Sequence, residues 1–330
     1  MATLYLVTGG AGFIGSHLAE GLLARGDHVI ALDNLDTGRL SNIDGVGSHP
    51  HFRFVQGSVL DELVVDELVH ECEVVVHLAA AVGVKRIVEH QLRSITTNLH
   101  GSESVFGAAH KYRRKILLAS TSEIYGKNTS VPLAETADRV LGSPAVARWA
   151  YSETKAVDEM LAYAYHKERG LPTIVVRLFN TVGPRQSGRY GMVIPRLIAQ
   201  AVAGEPVTVY GDGTQTRCFC HVGDVVDALL RLLDHPDALG DVFNVGSQEE
   251  VSILELARRI VAMTGSRSSI ELVPYDQAYE TGFEDMLRRQ PDIGKVRRLT
   301  GWTPTRTLDA ILRETIDEAT VELGGARRRS

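Results

Sequence analysis

Cysteine is scarce in this chain: Cys72, Cys218 and Cys220 are the only three among 330 residues. So few cannot build a disulfide framework. Cys218 and Cys220 stand one residue apart, which is not the spacing of thiolate metal sites, so all three read as reduced thiols and no metal is expected. Positive charge is also in deficit: 35 Lys and Arg against 41 Asp and Glu leave a net charge of −6. A net acidic surface argues against nucleic acid or anionic lipid as the main partner. No apolar run reaches the roughly 18 residues that span a bilayer. The N-terminus enters a strand-length apolar run without a basic region or cleavage site, so a cytoplasmic protein is expected.

What is present is ordinary globular material, 44% hydrophobic and 23% charged, long enough for a large core and two lobes. Apolar runs of strand length at Leu4 to Thr8, Val29 to Leu32, His51 to Val55, Val74 to Leu78, Ile116 to Ala119 and Thr173 to Arg177 alternate with helical segments. That alternation predicts a doubly wound α/β fold with a parallel sheet between helices. After Asn180, glycines and prolines break the chain, then Val207 to Tyr210 reads as a strand and Gly211-Asp212-Gly213 as a turn. Helical periodicity at Asp224 to Leu233 and a buried strand at Val242 to Val245 suggest a return to the first domain. The expectation is 1–178 plus 219–245 for a dinucleotide domain and 179–218 plus 246–330 for a smaller, discontinuous α+β lobe. Ser252, with Glu255 three residues on, reads as the cap of a helix to Met263, and Leu308 to Leu323 as a closing helix.

Gly9-Gly10-Ala11-Gly12-Phe13-Ile14-Gly15 stands between the first strand and the first helix, where glycines let the backbone approach a pyrophosphate on a helix N-terminus. Asp33 ends the second strand 18 residues after Gly15, placed to accept hydrogen bonds from ribose hydroxyls and to repel a 2′-phosphate. NAD is therefore favoured over NADP. Tyr151 and Lys155 stand four apart on a segment free of breakers, Ser152 to Lys167, and so share a helix face. An ammonium beside a phenol favours its phenolate, which makes Tyr151 a candidate general base and Lys155 its partner and a ribose ligand. Leu117 to Glu123 is a buried strand ending in Ser120, Thr121 and Ser122, with Thr121 able to bond a reacting hydroxyl.

The glycine loop, His77-Leu78-Ala79-Ala80, Asn98-Leu99-His100-Gly101, Thr121-Ser122-Glu123-Ile124-Tyr125-Gly126 and Tyr151-Ser152-Glu153-Thr154-Lys155 resemble the extended short-chain dehydrogenase/reductase family. More narrowly, they are similar to its nucleotide-sugar epimerases, dehydratases and decarboxylases. The resemblance implies a Rossmann-type fold and NAD contacts from Gly9, Gly12, Phe13, Ile14, Gly15, Asp33, Asn34, Ser58, Val59, Leu78, Ala79, Ala80, Asn98, Tyr151 and Lys155. Ser58 departs from the family, which often has aspartate there. The resemblance also implies a UDP-sugar substrate, oxidised at C4 while Tyr151 takes the O4 proton.

Substrate contacts are expected from Thr121, Ser122, Glu123, Asn180, Thr181, Arg185, Arg189, Val193, Tyr210, Arg217 and Arg289. Arg217 and Arg289 stand as diphosphate ligands, and Ser122, Thr181 and Arg185 as candidates for holding a sugar carboxylate. Similar dehydratases carry an Asp-Glu pair after the threonine; here it is Ser122-Glu123, as in uronate decarboxylases, and Arg289-Gln290-Pro291-Asp292-Ile293 resembles them too. The loop from Gln186 to Pro195 resembles bacterial 4-epimerases. The reading ranks 4-epimerisation of UDP-glucuronate first, with Tyr151, Lys155, Thr121 and Ser122 catalytic. Decarboxylation ranks second, then UDP-glucose 4-epimerisation or 4,6-dehydration, and a non-catalytic NAD-binding scaffold stands against all of these. Helices near Thr97 to His110 and Ser152 to Lys167, with Val105, Met160 and Leu161, imply a homodimer through a four-helix bundle, as in the family.

Overall fold

The structure is a computed structural model describing residues 2–83, 87, 89–188, 191–278 and 284–327, with backbone alone from 322 onward. The first half alternates strand and helix: β1 (Leu4–Thr8), α1 (Phe13–Ala24), β2 (His28–Asp33), β3 (Phe52–Gln56), α2 (Glu62–Glu71), β4 (Val74–His77), α3 (Gln91–Lys111), β5 (Lys115–Thr121), α4 (Trp149–Arg169) and β6 (Thr173–Leu178). Then follow β7 (Thr181–Val182), α5 (Val193–Ala203), β8 (Val207–Tyr210), β9 (Thr216–Cys218), β10 (Cys220–His221), α6 (Val222–Asp234) and β11 (Asp241–Val245). The chain closes with β12 (Glu250–Ser252), α7 (Ile253–Thr264), β13 (Ile270–Val273), α8 (Tyr275–Ala278), α9 (Gly294–Thr300) and α10 (Leu308–Arg327).

Seven strands form one parallel sheet in the order β11-β6-β5-β4-β1-β2-β3. Valine- and isoleucine-rich strands suit it because both faces are covered. One face carries α1 and α6, with Leu18, Leu22, Val225 and Leu229 in the core; the other carries α2, α3 and α4, with Val65, Val105 and Ala162. Chain direction across the sheet reverses between β1 and β4, so the carboxyl ends of those strands open a crevice there.

The smaller lobe has its own core, in which Ile194, Leu197 and Ile198 of α5, Val207 and Val209 of β8, Leu256 and Ile260 of α7 and Ile311 and Leu312 of α10 pack together. Ser252 caps α7 as its spacing implies, accepting from the Glu255 amide at 3.1 Å. Helix α1 starts at Phe13, with Gly12 in an extended conformation as its N-cap. Within 246–330, Ile293, Val296 and Trp302 pack into the sheet core beside α6, and the Trp302 indole donates to the Asp224 carbonyl at 2.9 Å. Val105 and Leu161 also pack toward the sheet, whereas Met160 and Val157 on α4 are 61% and 47% exposed. Among the described residues no helix is long and apolar enough to cross a membrane.

Candidate active site

A cavity of about 470 Å³ lies over the crevice and extends beneath the smaller lobe, a size suited to a small-molecule site. The glycine loop forms one end. Gly9 takes φ +72°, which a side chain resists, and a Cβ at Gly15 would lie 2.1 Å from the Gly9 carbonyl oxygen. The turn is thus as tight as backbone allows. Helix α1 begins on this loop with no side-chain cap and no acid in its first turn, and that turn, with the positive end of the helix dipole, borders the cavity. That fits a pyrophosphate.

Asp33 at the end of β2 also borders the cavity. Its carboxylate accepts from the Ala11 amide at 3.0 Å and the Leu35 amide at 2.8 Å, which locks the loop around it. Burial pushes its pKa up while those amides oppose the shift. Phe13, Ile14, Asn34, Val59, Leu78, Ala79 and Ala80 complete this half of the wall. Ser58, Asn98 and Lys155, also expected at the cofactor, make hydrogen bonds within the protein. The Ser58 hydroxyl accepts from the Leu60 amide in a turn, and Asn98 sits behind the wall, accepting from the Ala81 amide at 2.7 Å and donating to Thr154. The Lys155 ammonium is buried beside Asp158 at 2.8 Å.

At the other end, Thr121, Ser122 and Glu123 leave β5 where Tyr151 leaves the first turn of α4, and all four line the cavity. Thr121 Oγ1 accepts from the Glu123 amide, and the Ser152 hydroxyl donates to the Glu123 carbonyl, so strand end and helix start are stitched together. Burial is the main force raising the Tyr151 pKa; Glu123 and Asp158 add to it and Arg289 opposes. Lys155, on the same helix, forms an ion pair with Asp158 at 2.8 Å. Asn180, Thr181, Val193, Tyr210, Arg217 and Arg289 border the same cavity, and Arg196 stacks on the Tyr210 ring at 4.1 Å. Arg185 borders it as well, but its guanidinium is spent on Ser16 and Glu20 of α1 rather than held out for a sugar carboxylate. Arg189 lies outside the described residues.

Charge is concentrated around Glu123. Arg289 reaches it at 3.4 Å and donates to Asn180, and burial lowers the Arg289 pKa to about 10. Arg148, three residues before Tyr151, and Asp285, which holds Arg217 at 3.0 Å and the Tyr275 hydroxyl at 3.0 Å, complete the group. The motif reading passed over both. Arg148 was visible as the helical neighbour of Tyr151, whereas Asp285 meets Arg217 only through the fold, 68 residues along the chain.

Comparison with known proteins follows the same lines. Residues 5–246 match the model of the NAD dependent epimerase/dehydratase family. A UDP-N-acetyl-alpha-D-glucosaminuronate decarboxylase of Bacillus cytotoxicus is 42% identical over 313 residues, 94% of this chain and 96% of that one. UDP-glucuronic acid decarboxylase 1 of Danio rerio is 36% identical over 96% of this chain and 73% of its own length. Among solved structures, a UDP-glucuronic acid 4-epimerase from Bacillus cereus, in complex with UDP-glucuronic acid and NAD, superposes with a TM-score of 0.87 at 29% identity, covering 97% of this chain and 99% of that one.

Proposed function

The chain belongs to the NAD dependent epimerase/dehydratase family, whose cofactor is NAD, and we propose that it decarboxylates a UDP-linked uronic acid. The observation that carries this reading is the Glu123–Arg289 pair at the sugar end of the cleft, beside Thr121 and Tyr151. The two decarboxylase relatives support the same order of preference, which places decarboxylation ahead of 4-epimerisation and reverses the ranking drawn from motifs.

The glycine loop, the first turn of α1 and Asp33 would hold NAD, which when bound supplies reversible removal of hydride from a sugar carbon. Tyr151 would take the proton from the sugar O4, with the Thr121 hydroxyl bridging the two. Once Tyr151 carries that proton, the same phenol can return it as an acid in the reverse direction. In a 4-keto uronic acid the carboxylate is β to the ketone. Loss of carbon dioxide then breaks the C5–C6 bond, its electron pair moves into a C4–C5 enolate, and C5 takes up a proton. The Glu123 carboxylate beside the substrate carboxylate disfavours keeping that negative charge there and so favours its departure as neutral gas, while Arg289 holds Glu123 in place.

The Bacillus cereus structure and the Gln186-to-Pro195 loop support a second reading, 4-epimerisation with the carboxylate retained. Incubation with NAD and either UDP-glucuronate or UDP-N-acetylglucosaminuronate, followed by proton NMR and carbon dioxide release, separates the two. A pentose-configured product with gas release supports decarboxylation. A galacto-configured uronate without gas overturns it in favour of epimerisation.

A further inference from the structure

Arg185 stands where the backbone favours glycine. Its φ is +68°, in the left-handed region that a Cβ resists, and it follows Gly183 and Pro184 just after β7. Glycine would make this turn at less cost. The two ends of the residue account for an arginine there, because both are tethered. Its amide donates to the two carboxylate oxygens of Glu318 on α10, at 2.9 and 3.0 Å. Its guanidinium donates to Ser16 Oγ at 3.2 Å and to Glu20 at 2.6 Å, both on α1.

Ser16 belongs to the turn that opens α1: its amide donates to the Gly12 carbonyl at 3.1 Å and its hydroxyl to the Phe13 carbonyl at 3.2 Å. Gly12 and Phe13 border the cofactor end of the cavity. On the other side, the chain leaves Arg185 directly for the smaller lobe. Gln186 folds back to donate to the Thr181 carbonyl at 2.9 Å, and Gln186, Met192 and Val193 border the cavity with Thr181. The Arg185 and Glu20 side chains are 27% and 34% exposed, and a pair so open to water adds little stability. What it supplies is position, across 165 residues of sequence and from one lobe to the other.

We propose that Arg185 is a positioning residue for the nucleotide sugar: by clasping α1 it ties the loop beside the substrate to the turn that receives NAD, so that NAD and the UDP group each tighten the binding of the other. The assignment rests on the reading of the cleft as the shared site of NAD and a UDP-sugar, and it holds for decarboxylation and 4-epimerisation alike. A pyrophosphate on the first turn of α1 fixes the amides there, and with them Ser16 in that turn and Glu20 one turn on. These two acceptors hold the planar guanidinium from two directions, which fixes the start of the loop. Coupling of this kind is reciprocal in free energy.

The test starts from NAD-loaded protein and uses UDP, which binds without reacting. Equilibrium dialysis against graded NAD, with and without saturating UDP, gives the NAD affinity in both states, and calorimetry gives UDP binding to the NAD-saturated protein. UDP should tighten NAD binding about tenfold in the unaltered protein. Arg185→Gly keeps the turn and removes the guanidinium; it should cut that factor to about threefold or less, with NAD affinity in the absence of UDP changed by no more than about threefold. Glu20→Gln, made on α1 away from the turn, should lower the factor as well, and adding it to Arg185→Gly should change nothing further, as for two partners in one contact. Arg185→Lys should restore part of the factor. A factor that survives both Arg185→Gly and Glu20→Gln, or an unaltered protein whose NAD affinity ignores UDP, overturns the clasp and leaves the UDP-sugar reading standing. Unaltered, NAD-saturated protein that binds no UDP overturns that reading itself.

Discussion

Replacing Arg177 with methionine removes one half of a buried ion pair directly behind the cleft. Arg177 on β6 and Glu159 on α4 have side chains 9% and 5% exposed and meet through contacts of 2.8, 3.0 and 3.3 Å. Glu159 also accepts from the Ser120 hydroxyl at 2.5 Å, and Arg177 donates to the Tyr125 hydroxyl and the Glu135 carbonyl, each at 2.8 Å. Since Ser120 precedes Thr121 and Glu159 lies two turns beyond Tyr151, this network sets the spacing between the two reacting residues from behind. Arg177→Met leaves the carboxylate buried with the Ser120 hydroxyl and should cost about 3–5 kcal/mol of unfolding free energy. Urea titrations followed by fluorescence of Trp149 and Trp302 measure it. Arg177→Met with Glu159→Leu takes away the stranded charge as well and should recover about 2 kcal/mol or more, because an apolar pair of similar volume often replaces a buried ion pair at little cost. A single variant that loses less than about 1 kcal/mol, or a double variant no more stable than the single, refutes the reasoning.

Tyr151→Phe should lower turnover by roughly 10²- to 10⁴-fold with bound NAD content unchanged by absorbance; a variant that keeps most of its rate removes Tyr151 from the chemistry. Gly15→Ala, whose Cβ would lie 2.1 Å from the Gly9 carbonyl oxygen, should destabilise by about 1–3 kcal/mol and release NAD, whereas Gly107→Ala on α3, with open space around its Cβ, should not; equal melting temperatures for the two count against the tight turn. His77 is buried between the Thr8 and Ser102 hydroxyls, and burial lowers its pKa to about 3. The unfolded chain takes up that proton near pH 6.5, so this stability is full above about pH 6.5 and is lost as pH falls, by about 1.4 kcal/mol per unit and about 2 kcal/mol by pH 5. His77→Asn should flatten that slope in pH-resolved denaturation, and an unchanged slope would show that other groups carry it.

The sheet was legible because its strands are buried on both faces and so read as unbroken apolar runs, each followed by a helix. Gly9 to Gly15 was legible for a local reason: a strand, a tight turn and a helix start follow one another within a dozen residues. What depends on distant pairing was not. No pattern near Trp302 says that it returns to the face of the sheet under α6, since its partner Asp224 is 78 residues away. Lys155 shows the limit within a local motif. The four-residue spacing places it on the helix face of Tyr151, but says nothing of its ion pair with Asp158, three residues further. Arg185 shows the same limit across the lobes, since nothing in its own loop announces Ser16 and Glu20 of α1.

This division has a chemical consequence. The groups proposed to move hydride and the O4 proton come from β5, α4 and the glycine loop, all local features of the first domain, and would serve any outcome that begins with a 4-ketone. The charged groups at the other end of the cavity arrive together from 284–289, where Glu284 pairs with Lys127 and Trp149, Asp285 with Arg148 and Arg217, and Arg289 with Glu123 and Asn180. One short segment therefore ties the start of α4 to the smaller lobe and builds the charged wall beside Glu123. On the proposed reading, the fate of the ketone would be set where two lobes meet, by side chains whose partners are remote in sequence. Motifs of the first domain name the family for that reason, and substitutions in 284–289 are the ones expected to change which product leaves.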